Sequence, residues 1–565
     1  MKLVPGFLLL LASWLQPLHV LPWVSWHSEL LAFAALAWFT GLLIIEAWRA
    51  GEGRLSIPPA ACLPMALGLY ALFQFGAGQI DFFGDALMIA FYLIACGIAV
   101  MVGYQWGTLR RLESHGEPAG KYLDQLAAAV LAGALASVCI MLVQTFEVWD
   151  SAEWVVRTGG YRRPGGNTGQ PNHMATLLLM GMASLVWLYE TGRFSRVVTW
   201  LLQLLLILGV AMTESRTGLL SAAVLTIWWF SKRGLFAKGR SILPMTFAWG
   251  VLLLLVWLWP VFITSWHESG ASGIGRIAAT VGVRGVVWGQ LLDAALQRPW
   301  TGWGLREVSE AHNAVLHRYQ DGAPFSYAHN LFLDLVVGVG FPLALLVMAI
   351  CLLWLWSRAR KVQTLSAWYG IALGIPLAVH SMLEFPHAYA YFLMPILLAV
   401  GATEAGIGAR ATLNIRTTHA AIVGSLLLPL MVWTVVEYVR VEEDFRVARF
   451  EALRLGHTPE QYAAPETTLL TQLDAMLKAT RLRPAPGMES KDIDLLRRAA
   501  MRFPWTAIQN RYALSLALNG QQDEAMRQLR VMRAMHGEKH YEGIRANWEL
   551  LAEEKYPQLQ SLQLP

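Results

Sequence analysis

Thirteen long apolar blocks dominate the chain and constrain its fold more than any other feature. They run over 3–21, 28–47, 58–76, 85–104, 123–146, 173–190, 197–213, 217–231, 242–264, 329–356, 367–383, 386–403 and 419–438. A helix crosses bilayer hydrocarbon with about 20 mostly apolar residues, and the shortest block here is 217–231. Composition agrees: of 565 residues, 56% are hydrophobic and 15% charged, with a mean hydropathy of +0.44. That excludes a soluble protein of this length. The first block has the look of a signal peptide, but no small-residue cleavage site follows it, so it is expected to stay as a helix.

The charges in the connections set an orientation. Arg49, Arg54, Arg110, Arg111, Lys121, Arg193, Arg196, Lys232, Arg233, Lys238, Arg240, Arg358, Arg360, Lys361, Arg410 and Arg416 fall on one side, joined by Lys2, whereas the opposite short turns carry only Arg216. The positive-inside rule makes the basic side cytoplasmic. The other face then receives two long loops, 147–172 and 265–328, and everything after about 440. Cys62, Cys96, Cys139 and Cys351 all lie inside apolar blocks, so disulfides do not staple the exported parts. This suits a bacterial inner-membrane protein with a periplasmic face. The net charge of +5 comes from residues scattered among loops, so no nucleic-acid partner is expected.

Beyond Glu437-Tyr438-Val439-Arg440 the chain turns polar, charged and helical in pattern. The segment from Arg511 through Asn519-Gly520, followed by Glu524-Ala525 and Leu529, resembles one tetratricopeptide-type hairpin with Gly520 at the turn. One copy also fits a plain small helical domain. The expected fold class is therefore all-α: a polytopic membrane protein with about 13 transmembrane helices, a large periplasmic loop and a C-terminal soluble, TPR-like helical domain. The expected division is a polytopic domain over 1–439 and a periplasmic domain over 440–565.

Polar residues gather at one end of the apolar blocks, where ionisable groups are costly and usually kept for function. Tyr327-Ala328-His329-Asn330 opens a block, so His329 stands beside free helix N–H groups that favour a neutral imidazole able to accept a proton. The same residues also fit a simple helix cap. Arg216, in Glu214-Ser215-Arg216-Thr217-Gly218, offers a guanidinium fork for phosphate oxygens, or an interfacial snorkelling arginine. The segment Arg163-Pro164-Gly165-Gly166-Asn167 to Gln170-Pro171-Asn172-His173 combines a tight irregular path with amides and an arginine suited to sugar and phosphate.

Further along, Arg284 and Trp288 fall one helical turn apart ahead of Arg298-Pro299-Trp300-Thr301-Gly302-Trp303-Gly304. These suit a sugar platform or an amphipathic helix on the membrane. His380-Ser381-Met382-Leu383-Glu384-Phe385-Pro386-His387 places Glu384 where it could orient a histidine or a substrate. Walker A, HExxH and cysteine metal signatures are missing. Asp81 and Asp85 form only a weak carboxylate pair. No metal and no cofactor is expected.

Together these stretches resemble a known superfamily. The quoted segments are RPGGNTGQPNH (163–173), ESRTG (214–218), the Arg284–Trp288 segment leading into RPWTGWG (298–304), AHNLFLDL (328–335) and HSMLEFPHAYAYFL (380–393), with DFFGDALMIAFYL (81–93). They look like the O-antigen ligases, O-antigen polymerases and PglL-type bacterial O-oligosaccharyltransferases, and the PglL-type branch matches best. The resemblance runs from about residue 80 to 404. It implies a periplasm-facing glycosyltransferase that moves a glycan from an undecaprenyl-pyrophosphate carrier in the membrane lipid onto an acceptor hydroxyl, here of a periplasmic or pilin-like protein.

By resemblance, His329 takes the position of the family's essential histidine, and Arg216 and Arg284 match arginines associated with the diphosphate. Arg163, Gln170, Asn172, Asn330, His380 and Glu384 are the expected substrate-binding residues. Gly165 departs from relatives that often carry an aromatic residue there, which leaves sugar selectivity open. The alternatives are an O-antigen ligase acting on lipid A core, a polymerase, a polyprenyl-lipid flippase and a membrane scaffold. Transporters place polar groups near the midplane and show internal repeats; here the polar groups gather at exported helix ends, and no repeat between halves is visible.

Overall fold

The computed structural model describes residues 2–109, 120–148, 153–156, 163–239, 241–266 and 273–565. Of the basic residues named above, Arg110, Arg111 and Arg240 lie outside them. Each apolar block corresponds to one helix. In order these are α1 (Val4–Leu15), α2 (Trp26–Arg49), α3 (Pro59–Gly76), α4 (Phe83–Leu109), α5 (Gly120–Phe146), α6 (Pro171–Glu190), α7 (Arg196–Met212), α8 (Arg216–Ser231) and α9 (Ile242–Trp266). After α10 (Gly273–Gln297) and α11 (Val308–Leu316) come α12 (Leu331–Lys361), α13 (Leu365–Ser381), α14 (Ala390–Gly406) and α15 (Thr417–Leu453).

Among the described residues, eight helices (α2 to α6, α9, α12 and α15) are long and apolar enough to cross a membrane. α1, α7, α13 and α14 are apolar but shorter. This makes a multi-pass membrane protein.

Two departures from the sequence reading are local. The long loop expected over 265–328 holds α10 and α11, because its apolar positions recur at helical spacing and find a core to bury against. Second, the all-α expectation misses a short antiparallel ribbon. In it β1 (Arg54–Ile57) pairs with β2 (Leu413–Arg416), Arg54 opposite Arg416, and satisfies the backbone of two interhelical connections.

The tail folds as α16 (Thr471–Arg481), α17 (Ser490–Arg502), α18 (Thr506–Leu518), α19 (Gln522–His536) and α20 (Glu538–Glu554), consecutive helices packing on one another. Gly520, at φ +80, makes the turn between α18 and α19. A side chain would be disfavoured in that left-handed conformation.

The chain divides into two compact units. One comprises 1–67, 92–271 and 350–429, the other 68–91, 272–349 and 430–565. In the first, helices approach through small residues, as membrane helices do. A Cβ on Gly401 of α14 would lie 2.6 Å from the Tyr104 nitrogen of α4, and one on Gly370 of α13 would lie 2.6 Å from the Ala399 carbonyl oxygen. At the predicted cytoplasmic end, buried Glu404 accepts from Arg358 Nε at 2.6 Å, Arg358 Nη2 at 2.8 Å and Trp354 Nε1 at 2.9 Å. Burial of that carboxylate is tolerable only because all three donors reach it.

In the second unit, the Arg298–Gly304 segment docks backbone to backbone on a kink in α12. Trp303 N donates to Val337 O at 2.7 Å, Gly304 N to Gly338 O at 3.1 Å and Phe341 N to Pro299 O at 2.8 Å. Gly340 breaks the helical dihedrals with φ +77. A Cβ on Gly302 would meet the backbone of Gly338 and Gly340 at 2.6 Å, so glycine is required there. Gln74 locks the same place, donating to Gly338 O at 3.0 Å and accepting from Leu305 N at 3.0 Å.

The tail helices are part of this unit. Arg502 of α17 grips buried Asp85 with two bonds of 2.6 and 2.8 Å, and the side-chain amides of Asn313 and Gln528 pair reciprocally at 3.1 and 3.2 Å. Asp81 lies 3.6 Å from Arg497. The two carboxylates flagged in the sequence are thus matched by arginines of α17.

Candidate active site

In the first unit the polar clusters of 163–173, 214–218 and 380–387 converge into one hydrogen-bonded network. The glycine loop is pinned from several sides. Gln144 accepts from Gly166 N at 2.8 Å and donates to Gly166 O at 3.0 Å, and Asn167 donates to Leu15 O at 2.6 Å and Trp154 O at 2.8 Å. Gly166 and Gly169 take left-handed φ of +56 and +72, so the loop can end directly at Pro171, the first residue of α6. Proline suits a first helical position, where its missing N–H costs nothing.

Glu384 is the hub. Its Oε2 accepts from Gln170 Nε2 at 2.9 Å and faces His380 Nε2 at 2.9 Å, while its Oε1 accepts from Asn172 Nδ2 at 2.7 Å. Because an ionised carboxylate only accepts, His380 presents N–H at Nε2, and its Nδ1 accepts from the Thr176 hydroxyl at 2.8 Å. Asn172 passes the network on. Its Oδ1 accepts from Ser215 Oγ at 2.7 Å and Arg163 Nη2 at 3.4 Å, and Arg163 Nε donates to Thr213 O at 2.8 Å. Burial lowers the pKa of the Arg163 guanidinium, opposed by Glu214 and Glu384.

Ser215 is also the N-cap of α8, accepting from Gly218 N at 2.9 Å, which makes Arg216 the first helical residue, exposed to solvent. Free N–H groups and a guanidinium at one helix start form a ready anion site.

His173, His380 and Glu384 bring one donor atom each within 4.8 Å of one another. Both Glu384 oxygens and both His380 nitrogens are already engaged within the network, and His173 packs edge-on against Tyr389 and Phe392.

The second unit holds His329, Asn330 and Arg284. His329 sits in the left-handed region with φ +55. Its neighbour Ala328 is fixed from both sides: Ala328 N donates to Asp334 Oδ1 at 2.6 Å and Ala328 O accepts from Trp288 Nε1 at 2.7 Å. Asn330 caps α12, its Oδ1 accepting from Leu333 N at 3.0 Å. Phe325 covers the imidazole, with ring centroids 4.4 Å apart. Arg284 lies on α10 one turn before Trp288, on the same helix face, so the helix that anchors the His329 segment also carries Arg284.

In the docked segment, Trp303 is buried under Arg298, whose guanidinium lies 4.0 Å from its ring, while Trp300 is 78% exposed. Sequence reasoning missed Thr176 and Ser215, which bear no charge to mark them, and Arg306. The latter stacks on the ring of Tyr327 at 5.3 Å and follows the glycine-rich segment with no spacing that ties it to His329.

Three stretches of the chain match family models. Residues 201–348 match a family model described as O-antigen ligase, and residues 164–189 one described as protein glycosylation ligase. Residues 368–550 match the C-terminal model of a virulence factor membrane-bound polymerase. The fold and these matches point to a membrane glycosyltransferase similar to the O-antigen ligases. A general O-oligosaccharyltransferase of Acinetobacter baylyi is 26% identical over 94% of this chain and 93% of its own. A ComP-specific O-oligosaccharyltransferase of the same organism is 26% identical over 63% of each chain. Within that similarity, the matches support the PglL-type O-oligosaccharyltransferases.

Proposed function

We propose that the chain transfers a glycan en bloc from an undecaprenyl-pyrophosphate carrier to Ser or Thr hydroxyls of periplasmic or pilin-like proteins. The observation that carries this reading is the network joining Arg163, Gln170, Asn172, Ser215, His380 and Glu384, which fixes the start of α8 and with it Arg216. Relatives named as O-oligosaccharyltransferases support a lipid-linked donor and a protein acceptor. On this reading all thirteen apolar helices span a bacterial inner membrane. The clusters then face the periplasm, and residues 440–565 form a periplasmic helical domain that meets the acceptor.

In the proposed step, the acceptor oxygen bonds to the anomeric carbon as the bond from that carbon to the phosphate oxygen breaks. The pyrophosphate leaves with the electron pair, its growing charge matched by the fixed guanidiniums of Arg216 and Arg284. His329 takes or orients the hydroxyl proton, and the activated phosphate ester supplies the driving force. Arg163, Gln170 and Asn172 line the donor side, with Glu384 and His380 holding those amides in place, and Asn330 fixes the backbone that presents His329.

Purified protein given the lipid-linked glycan with a pilin-like protein and lipid A core in competition tests the acceptor. Glycan on a protein Ser or Thr, read by mass spectrometry, is the expected result. Glycan on lipid A core alone makes the chain a ligase instead.

A further inference from the structure

Arg306 belongs to no role assigned so far, and it differs from the paired arginines of the second unit. Arg502 grips Asp85, Arg497 reaches Asp81 and Asp494, and Arg527 pairs with Glu524. Among the described residues the Arg306 guanidinium has no hydrogen bond and no carboxylate partner, and its Nε is buried. Its one contact of that kind is the face of Tyr327, 5.3 Å from the ring centre. Tyr327 lies two residues ahead of His329.

The backbone holds Arg306 where an arginine is not favoured. Its φ is +73, a region that L side chains rarely adopt without an over-determining frame. The frame is present. Leu305 N is held by Gln74 Oε1 at 3.0 Å, Gly304 N by Gly338 O at 3.1 Å, and Glu307 N donates to Gly304 O at 3.1 Å. The adjacent carboxyl offers no counter-charge, since burial first and Asp85 second push the pKa of Glu307 well above the carboxylate range. A partly buried guanidinium on a rigid, strained loop lacks the partner that an anion would supply.

We propose that Arg306 is a phosphate-binding residue of the site, its fork receiving an oxyanion of the donor's diphosphate beside Tyr327 and His329. This rests on the diphosphate-linked donor of the proposed function. Glycine tolerates positive φ, so Arg306→Gly removes the guanidinium while easing the backbone, and Arg306→Lys keeps charge without the fork.

Inorganic pyrophosphate titrated onto the purified full-length protein by calorimetry is the direct test. Loss of a charge-assisted bond weakens binding about tenfold or more. We expect that loss in Arg306→Gly with an unchanged or raised melting temperature, a partial loss in Arg306→Lys, and a matching rise in donor KM with acceptor KM unchanged. Pyrophosphate binding to Arg306→Gly as tight as to wild type overturns the assignment, and so does a wild type that does not bind pyrophosphate. A wild type that binds pyrophosphate in an Arg306-dependent way but glycosylates no protein leaves this site standing and removes the proposed acceptor instead.

Discussion

The hub carboxylate Glu384 shows how a single residue orders the candidate site. Three donors converge on it from Gln170, Asn172 and His380, and an amide in its place would turn one acceptor into a donor facing another N–H. Glu384→Gln is therefore expected to cost about 1–3 kcal/mol of stability and to lower transfer sharply, read as melting temperature and initial rate. An unchanged melting temperature would remove the hub role.

A second residue-scale prediction concerns acid. Burial depresses His312 to about 4, and its Nε2 donates to Gln290 Oε1 at 2.8 Å. In the unfolded chain an ordinary histidine takes up its proton near 6.5. As pH falls from about 6.5 towards 4 the unfolded state therefore gains a proton that the folded state refuses, and stability is lost by up to about 3 kcal/mol across that window. Above pH 6.5 the term vanishes. His312→Gln should flatten the loss in a pH series of denaturation midpoints, and an undiminished slope would assign the acid sensitivity elsewhere.

Among the elements, the apolar blocks made legible all eight described helices that are long and apolar enough to cross a membrane, because a run of about 20 apolar residues has few other solutions. The glycine loop, the α8 start and the α13 end were visible as motifs, but not their junction. Pairing between Asn172 and Ser215, or between Glu384 and Gln170, joins residues far apart in sequence and leaves no periodic trace. The Arg298–Gly304 segment was legible as important, but not how it is held: its glycines serve a backbone docking on the α12 kink and Trp303 is buried, while Trp300 stays exposed. Gly302→Ala forces a Cβ onto the Gly338–Gly340 backbone at φ +70, so a loss of about 2 kcal/mol or more is expected. A variant as stable as wild type would show that the docking yields. Arg502→Ala, which strands buried Asp85, should cost about 3–5 kcal/mol.

At the scale of the whole molecule, the claim is one of topology: basic connections inside, polar clusters outside. With the four native cysteines replaced, a cysteine at exposed Trp300 should react with an impermeant maleimide in intact spheroplasts. One at exposed Arg233 should react only after permeabilisation. The reverse pattern would invert the charge rule for this chain. The tail was legible as helical and its one hairpin as a turn at Gly520. Its ties to α4 and α11 through Arg502 and Gln528 were not, since ion pairs and amide pairs across long separations carry no local signal.

One measurement bears on the central claim most directly: single-turnover transfer by purified protein from an undecaprenyl-pyrophosphate glycan to a pilin-like acceptor, with His329→Ala beside wild type. Wild type should leave the glycan intact on a Ser or Thr, detected by intact-mass and peptide mass spectrometry. His329→Ala, folded to the same melting temperature, should lose at least about a hundredfold in rate if the imidazole handles the acceptor proton. Equal rates in the two proteins would contradict the account.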